Sequence, residues 1–240
     1  MSAPSRILAA TALACALVLV LLGLPRGLES DGSGAPAESR VRALLERSDS
    51  DPKFALSGLE SALVELGDAA APALEEALDP ARERSDAAAI ARALARLRKE
   101  GALPALLRLA RSERAEARLA AVSGLACVGA KAAVAPLLDR LADESVEVAS
   151  AAVERLVELD RSAPKLQVRA DVARLFDRGR CLAARVRAAD CLVRIGGPES
   201  VSLLERALRD LDADVRAASA DGLGRLGSAG EDARAELVEM

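Results

Sequence analysis

The stretch Asp210-Leu211-Asp212-Ala213-Asp214-Val215-Arg216-Ala217-Ala218, closing on Gly222-Leu223-Gly224-Arg225-Leu226-Gly227, recurs backwards along the chain and sets its architecture. From Leu223 a step of 31 residues reaches Leu192, a step of 36 reaches Leu156, and further steps of 31 reach Leu125, Leu94 and Leu63. Two more rows keep the same register: Leu66, Leu97, Val128, Leu159, Ile195 and Leu226, and Leu59, Ile90, Ala121, Ala152, Ala188 and Ser219. Within each unit these positions fall at i, i+4 and i+7, which is one stripe of an α-helix.

Glycine follows the stripe at Gly67, Gly129, Gly196 and Gly227, where a left-handed residue would stop the helix. Pro72, Pro104, Pro136 and, less regularly, Pro164 and Pro198 come shortly afterwards and suit the first turn of a following helix. Each unit is therefore two helices. The first carries pairs such as Leu74 with Leu78, Leu106 with Leu109, Leu137 with Leu141, and Leu204 with Leu208. Neither helix can bury its stripe alone, so the units must stack into an all-α solenoid of five to six helix pairs. The irregular step is five extra residues between Asp160 and Arg180, a stretch that includes Phe176-Asp177-Arg178-Gly179 and is expected to alter the superhelix or present a loop.

These units resemble HEAT repeats of the short bacterial, phycobilisome-lyase-like type, best in Val134-Ala135-Pro136-Leu137-Leu138 leading into Glu147-Val148-Ala149, and in the stretch 210–227. The resemblance extends over roughly residues 40–240. It implies a structural role for an arginine early in the second helix, bonding acidic or carbonyl groups of the inter-repeat loop. The family's Val-Arg pair is matched at Val215-Arg216 and partly at Ala184-Arg185 and Ala117-Arg118, which gives that role to Arg118, Arg185 and Arg216, and it is lost at Asp86-Ala87. It also implies that the second helices line a concave surface.

Composition narrows the chemistry. Alanine and leucine dominate, Phe54 and Phe176 are the only aromatic residues, and there is no Trp, Tyr or His. No imidazole can act as base or metal ligand, and no indole or phenol can stack on a nucleobase. With 33 basic and 37 acidic residues there is no global field for phosphate backbones, so nucleic acid is not an expected partner. No CxxC, HExxH, phosphate-binding loop or nucleophile elbow occurs, and no catalytic, cofactor or metal site is assigned. Cys127, Cys181 and Cys191 are expected as free thiols.

An apolar run occupies residues 7–24, between Met1–Arg6 and Pro25-Arg26-Gly27. As a helix it would rise about 27 Å, close to the roughly 30 Å of a bilayer core. A single membrane anchor is the favoured reading, and a cleaved signal segment competes with it. Cys15 within the run is read as lipid-facing filler. Arg6 before the run, and Arg26, Glu29 and Asp31 after it, weakly place the rest of the chain outside the cytoplasm, or in the periplasm or medium if the segment is cleaved. The organisation is thus an anchor or signal at 1–28, a flexible linker at 29–37 and a solenoid at 38–240.

Two rows of the second helices stay polar: Ser61, Arg92, Ser123, Glu154, Asp190 and Asp221, and, four residues on, Glu65, Arg96, Cys127, Glu158, Arg194 and Arg225. Rows four apart share one helical face. Arg92, Arg96, Glu154, Glu158, Asp190, Arg194, Asp221 and Arg225 form a ridge of mixed sign. Its plainest account is a solvated face laced with ion pairs of ~0.3 to 0.5 kcal/mol each. Its functional account is a surface for a protein partner. The reading that follows is a non-catalytic, membrane-tethered interaction scaffold. A lyase-like or chromophore-handling protein and a spacer or oligomerisation element are the alternatives.

Overall fold

The computed structural model describes residues 35–80, 84–179 and 181–238, with side chains described as far as Gly227. The apolar run at 7–24, Cys15, residues 29–34 of the linker and Arg180 lie outside the described residues. Among the described residues every regular element is helical, and no helix is long and apolar enough to cross a membrane.

Six helix pairs follow one another. The first pair is α1 (Ala37–Ser50) with a second helix broken at Gly58 into α2 (Pro52–Ser57) and α3 (Leu59–Glu65). Asp51 starts α2 by accepting the backbone N–H groups of Lys53 and Phe54 ahead of Pro52. Then come α4 (Ala71–Ala77) with α5 (Ala87–Arg98), and α6 (Leu103–Ala110) with α7 (Ala115–Val128). The last three pairs are α8 (Lys131–Asp139) with α9 (Val146–Ser162), α10 (Val168–Arg178) with α11 (Leu182–Ile195), and α12 (Pro198–Ala207) with α13 (Ala213–Val238).

The leucine row that defined the period is the core of this stack. Leu63, Leu94, Leu125, Leu156 and Leu192 are completely buried, as are Leu59, Ile90, Ala121, Ala152, Ala188 and Ser219 one turn earlier. Ser219 is tolerated there because its hydroxyl donates to the Val215 carbonyl at 2.7 Å. The second helices stack in unbroken order, α3 on α5, α5 on α7, α7 on α9, α9 on α11 and α11 on α13, whereas successive first helices touch sparingly.

Small residues make that closeness feasible. At Gly124 on α7 a Cβ atom would stand 2.5 Å from Leu106 Cδ2 and 3.0 Å from the Ala91 carbonyl oxygen of α5. The equivalent Gly222 on α13 faces Val193 of α11 in the same way, its Cβ falling 2.6 Å from Cγ2. Cys191 fills the equivalent place on α11, fully buried, and burial pushes its thiol up to about 12. It packs as a small apolar group.

The ends of the helices depart from the sequence reading at named positions. Gly67, Gly129 and Gly196 have positive φ and stop their helices, but Gly227 lies inside α13, which runs on through residues 231–237, rich in Ala, Glu and Leu. Pro72, Pro104 and Pro198 open α4, α6 and α12, and Pro164 opens a short 3₁₀ turn at Pro164–Leu166. Pro136 sits inside α8 instead of in its first turn, because that helix already begins at Lys131, directly after the Gly129 stop. Leu208 is 42% exposed while Leu78, Leu109 and Leu141 are buried, since no described helix pair stacks beyond α12 and α13.

The five extra residues enter ahead of α10. Asp160 stands where a glycine stop would fall, so α9 continues to Ser162 and reaches 17 residues against 14 in α7. The 3₁₀ turn and Gln167, at φ +55°, complete the connection. Asp160 then accepts the backbone N–H of Arg169 at 3.1 Å and its guanidinium at 3.2 Å, tying the start of α10 to the end of α9. Phe176-Asp177-Arg178 therefore belong to a helix and not to a presented loop, with Phe176 only 2% exposed.

Candidate binding surface

Arginine and aspartate tie α7 and α11 to the loop inside the following helix pair. Arg118 is buried on α7 and grips Asp143 with Nε at 2.8 Å and Nη2 at 2.9 Å. Its Nη1 donates to the carbonyls of Ser112 at 3.0 Å and Glu113 at 2.7 Å. Arg185 repeats the arrangement with both Asp210 oxygens and the Phe176 carbonyl, and Arg216 holds the carbonyls of Asp210 and Leu211 at 2.8 and 3.0 Å. The partners are acidic and carbonyl groups, as the resemblance implied, but the loops that carry them lie within helix pairs and not between them, and the Phe176 carbonyl belongs to α10. Burial alone would raise the Asp143 carboxyl and is the largest single influence on it, but the Arg118 hydrogen bonds, the Ser145 backbone N–H and the charges of Arg118 and Arg140 together outweigh it and hold the group below its ordinary value. The Arg185 hydrogen bond likewise lowers Asp210. At Asp86-Ala87, where the pattern is lost, Asp86 is instead buried against Ser48 of α1 and Arg84.

On the ridge itself the charges are partly spent within and between units. Glu60, a residue outside the two polar rows, accepts Arg92 at 2.6 Å and Arg96 at 3.2 Å, joining α3 to α5. Asp190 accepts Arg194 of its own helix at 3.0 Å and Arg225 of α13 at 2.9 Å, and Asp221 stands 3.9 Å from Arg225. Glu158 pairs with Arg155 at 2.5 Å. Glu154 is exposed and makes no ion pair among the described residues. Cys127 is half-buried, its thiol raised by burial and by Glu60 against the opposing effect of Arg92, Arg96 and Arg155.

A cleft of about 600 Å³ lies between α9 and α11, lined by Glu154, Val157, Glu158, Arg161, Ser162 and Arg194. Glu154, Glu158 and Arg194 are brought together there, while Arg92 and Arg96 lie on α5 and Asp221 and Arg225 on α13. Arg161 Nη2 donates to the Arg194 carbonyl at 3.1 Å and bridges the two helices. Val157, Arg161 and Ser162 are lining residues outside the polar rows. The signal for Arg161 and Ser162 was the register jump that begins beside them. Among the described residues no group of three or more acidic or cysteine side chains is placed to hold a metal ion.

Comparison with known proteins gives likenesses among engineered and designed proteins. One is the crystal structure of an engineered protein from a structural genomics consortium, 19% identical over 82% of this chain and 93% of that one, with a TM-score of 0.43. Another is a designed armadillo repeat protein in complex with the peptide (KR)4, 20% identical over 83% and 95% of the two chains, with a TM-score of 0.41. A further designed armadillo repeat protein is 21% identical over 79% and 92%, with a TM-score of 0.39. No curated protein matches the sequence. The family model described as HEAT repeats matches residues 71–158 and 172–240, and the break between its two matches falls on the five-residue insertion. That match takes in more than half of the chain, and the chain belongs to the HEAT-repeat family.

Proposed function

We propose that this chain is a non-catalytic scaffold that binds another protein through the inner ridge of its solenoid and is held at a membrane by residues 7–24, with the solenoid on the extracytoplasmic side. The observation that carries the interaction reading is the cleft on the ridge, where the repeat is interrupted and where an exposed carboxylate, Glu154, is left without an ion pair among the described residues. A ridge that served only as solvated surface would need no such interruption. Support for the anchor is the length of the apolar run, about 27 Å as a helix.

Affinity capture of the intact protein from its native membrane tests the interaction. Wild type is expected to bring down a partner that the double variant Glu154→Arg with Glu158→Arg loses, and retention of the same partner by the variant would overturn the ridge assignment. For the anchor, alkaline carbonate extraction should leave the intact protein in the membrane pellet. Release into the supernatant would favour a cleaved signal.

A second reading, a mechanical spacer, draws on the pairs that cross from unit to unit, Glu60 to Arg92 and Asp190 to Arg225, which stitch neighbouring second helices together. Native extraction with no captured partner would move the balance to that reading.

A further inference from the structure

We infer that the cleft between α9 and α11 takes an extended segment of a partner protein carrying one basic and one acidic side chain about three residues apart. This deepens the interaction reading above and rests on it. On α9 the lining residues Glu154, Val157, Glu158 and Arg161 fall at i, i+3, i+4 and i+7, so they form one face of that helix. The sequence of their charges makes the cleft dipolar. Glu154 and Glu158 form its acidic end and Arg161 its basic end, while Arg194 of α11 lines the cleft with its Nε turned back to Asp190 at 3.0 Å. Seven residues of helix separate Glu154 from Arg161, a rise of about 10 Å. Three residues of extended chain span about the same distance.

Each end has binding capacity to spare. Glu154 has no ion pair among the described residues, and the Arg155 partner of Glu158 is a surface contact within one helix that a stronger guanidinium or ammonium pairing can replace. Arg161 is held over the cleft by a single bond to the Arg194 carbonyl, and an arginine offers five donors in all. Between the ends lies Val157, an apolar floor suited to the methylene stem of a long basic side chain. Charge disfavours simpler occupants: a purely basic segment meets Arg161, and a purely acidic one or a phosphate chain meets Glu154 and Glu158.

The test uses the full chain in detergent and short fluorescein-labelled serine-alanine peptides, read by anisotropy. One peptide carries arginine and glutamate three residues apart, and two controls carry only the arginine or only the glutamate. The dipolar peptide is expected to bind at least about tenfold tighter than either control. In Glu154→Arg with Glu158→Arg the cleft becomes wholly basic, and preference should move to the glutamate-only peptide, a gain that a misfolded variant cannot produce. The inference is overturned if the arginine-only peptide matches the dipolar one, if no peptide is distinguished, or if the variant keeps the original preference. Loss of the captured partner by the same variant, alongside indifferent peptides, would leave the scaffold standing and remove only the dipolar motif.

Discussion

Replacing Leu125 by aspartate is expected to melt the central units of the solenoid. Leu125 is fully buried on α7, which stacks on both α5 and α9. A carboxylate there loses its hydration without a partner, at a cost of several kcal/mol. In a repeat array each unit owes much of its stability to its neighbours, so the damage spreads to the pairs on either side. Circular dichroism should show a substantial loss of helical signal and a lower urea midpoint. The contrast is Arg92→Glu on the ridge. From the sequence, a change of about 0.5 kcal/mol would be expected for an exposed charge. Arg92 is half-buried and paired with Glu60, so reversal is now expected to cost about 1 kcal/mol. Equal losses for the two variants would contradict the division into buried and exposed rows.

Arg118→Ala is the second large effect, expected at about 3 kcal/mol because it removes the two-pronged ion pair of the buried Asp143 carboxylate, leaving it Arg140 at 3.3 Å and the Ser145 backbone N–H at 3.0 Å, and takes this donor from two loop carbonyls. The pH dependence separates this from lost packing. Asp143 is held below its ordinary value, about 3.9, in the folded chain, so its ion pair stabilises fully above that pH. The contribution disappears as pH falls through the lowered folded value. Wild type should therefore lose stability steeply on the acid side, below about pH 4, and Arg118→Ala should start lower at neutral pH and fall less steeply. Thermal unfolding at a series of pH values checks both statements. Parallel acid profiles for the two proteins would assign the stability of the loop to something other than this pair.

The period made the buried rows legible, because equivalent positions in stacked units meet the same surroundings. Leu63 through Leu192 obey that logic. Leu223 is only half-buried, and Leu208 is exposed, because the last described pair is covered on one side only, whereas the row three residues on is half-buried at Leu66, Leu97, Ile195 and Leu226 alike. Helix stops were readable where glycine must adopt positive φ, at Gly67, Gly129 and Gly196, but not at Gly227, where the following residues favour helix over turn. α5 shows the converse: it ends without glycine, at Lys99 with φ +48°. Pro136 was misplaced because spacing from the previous glycine varies between units while the proline alone carries no register.

The site was legible in part. Rows four apart identified Glu154, Glu158 and Arg194 as ridge residues, since that depends only on helical geometry. Their meeting in one cleft depends on the lengthening of α9, which brings Arg161 to the Arg194 carbonyl across 33 positions of sequence. Single-helix periodicity holds no information about such a contact. The arrangement around Arg118 and Arg185 was foreseen through the family resemblance, since the aspartate partners lie 25 residues away in the next unit.

Site-specific photo-crosslinking in the native cell would place the partner on or off the ridge. A photoreactive residue at position 154, beside the cleft, should give a partner adduct, whereas the same residue at 108 or 205, exposed on the first helices α6 and α12, should give none. Adducts from 108 or 205 with none from 154 would put the interaction on the outer helices and contradict the assignment of the inner ridge as the binding surface.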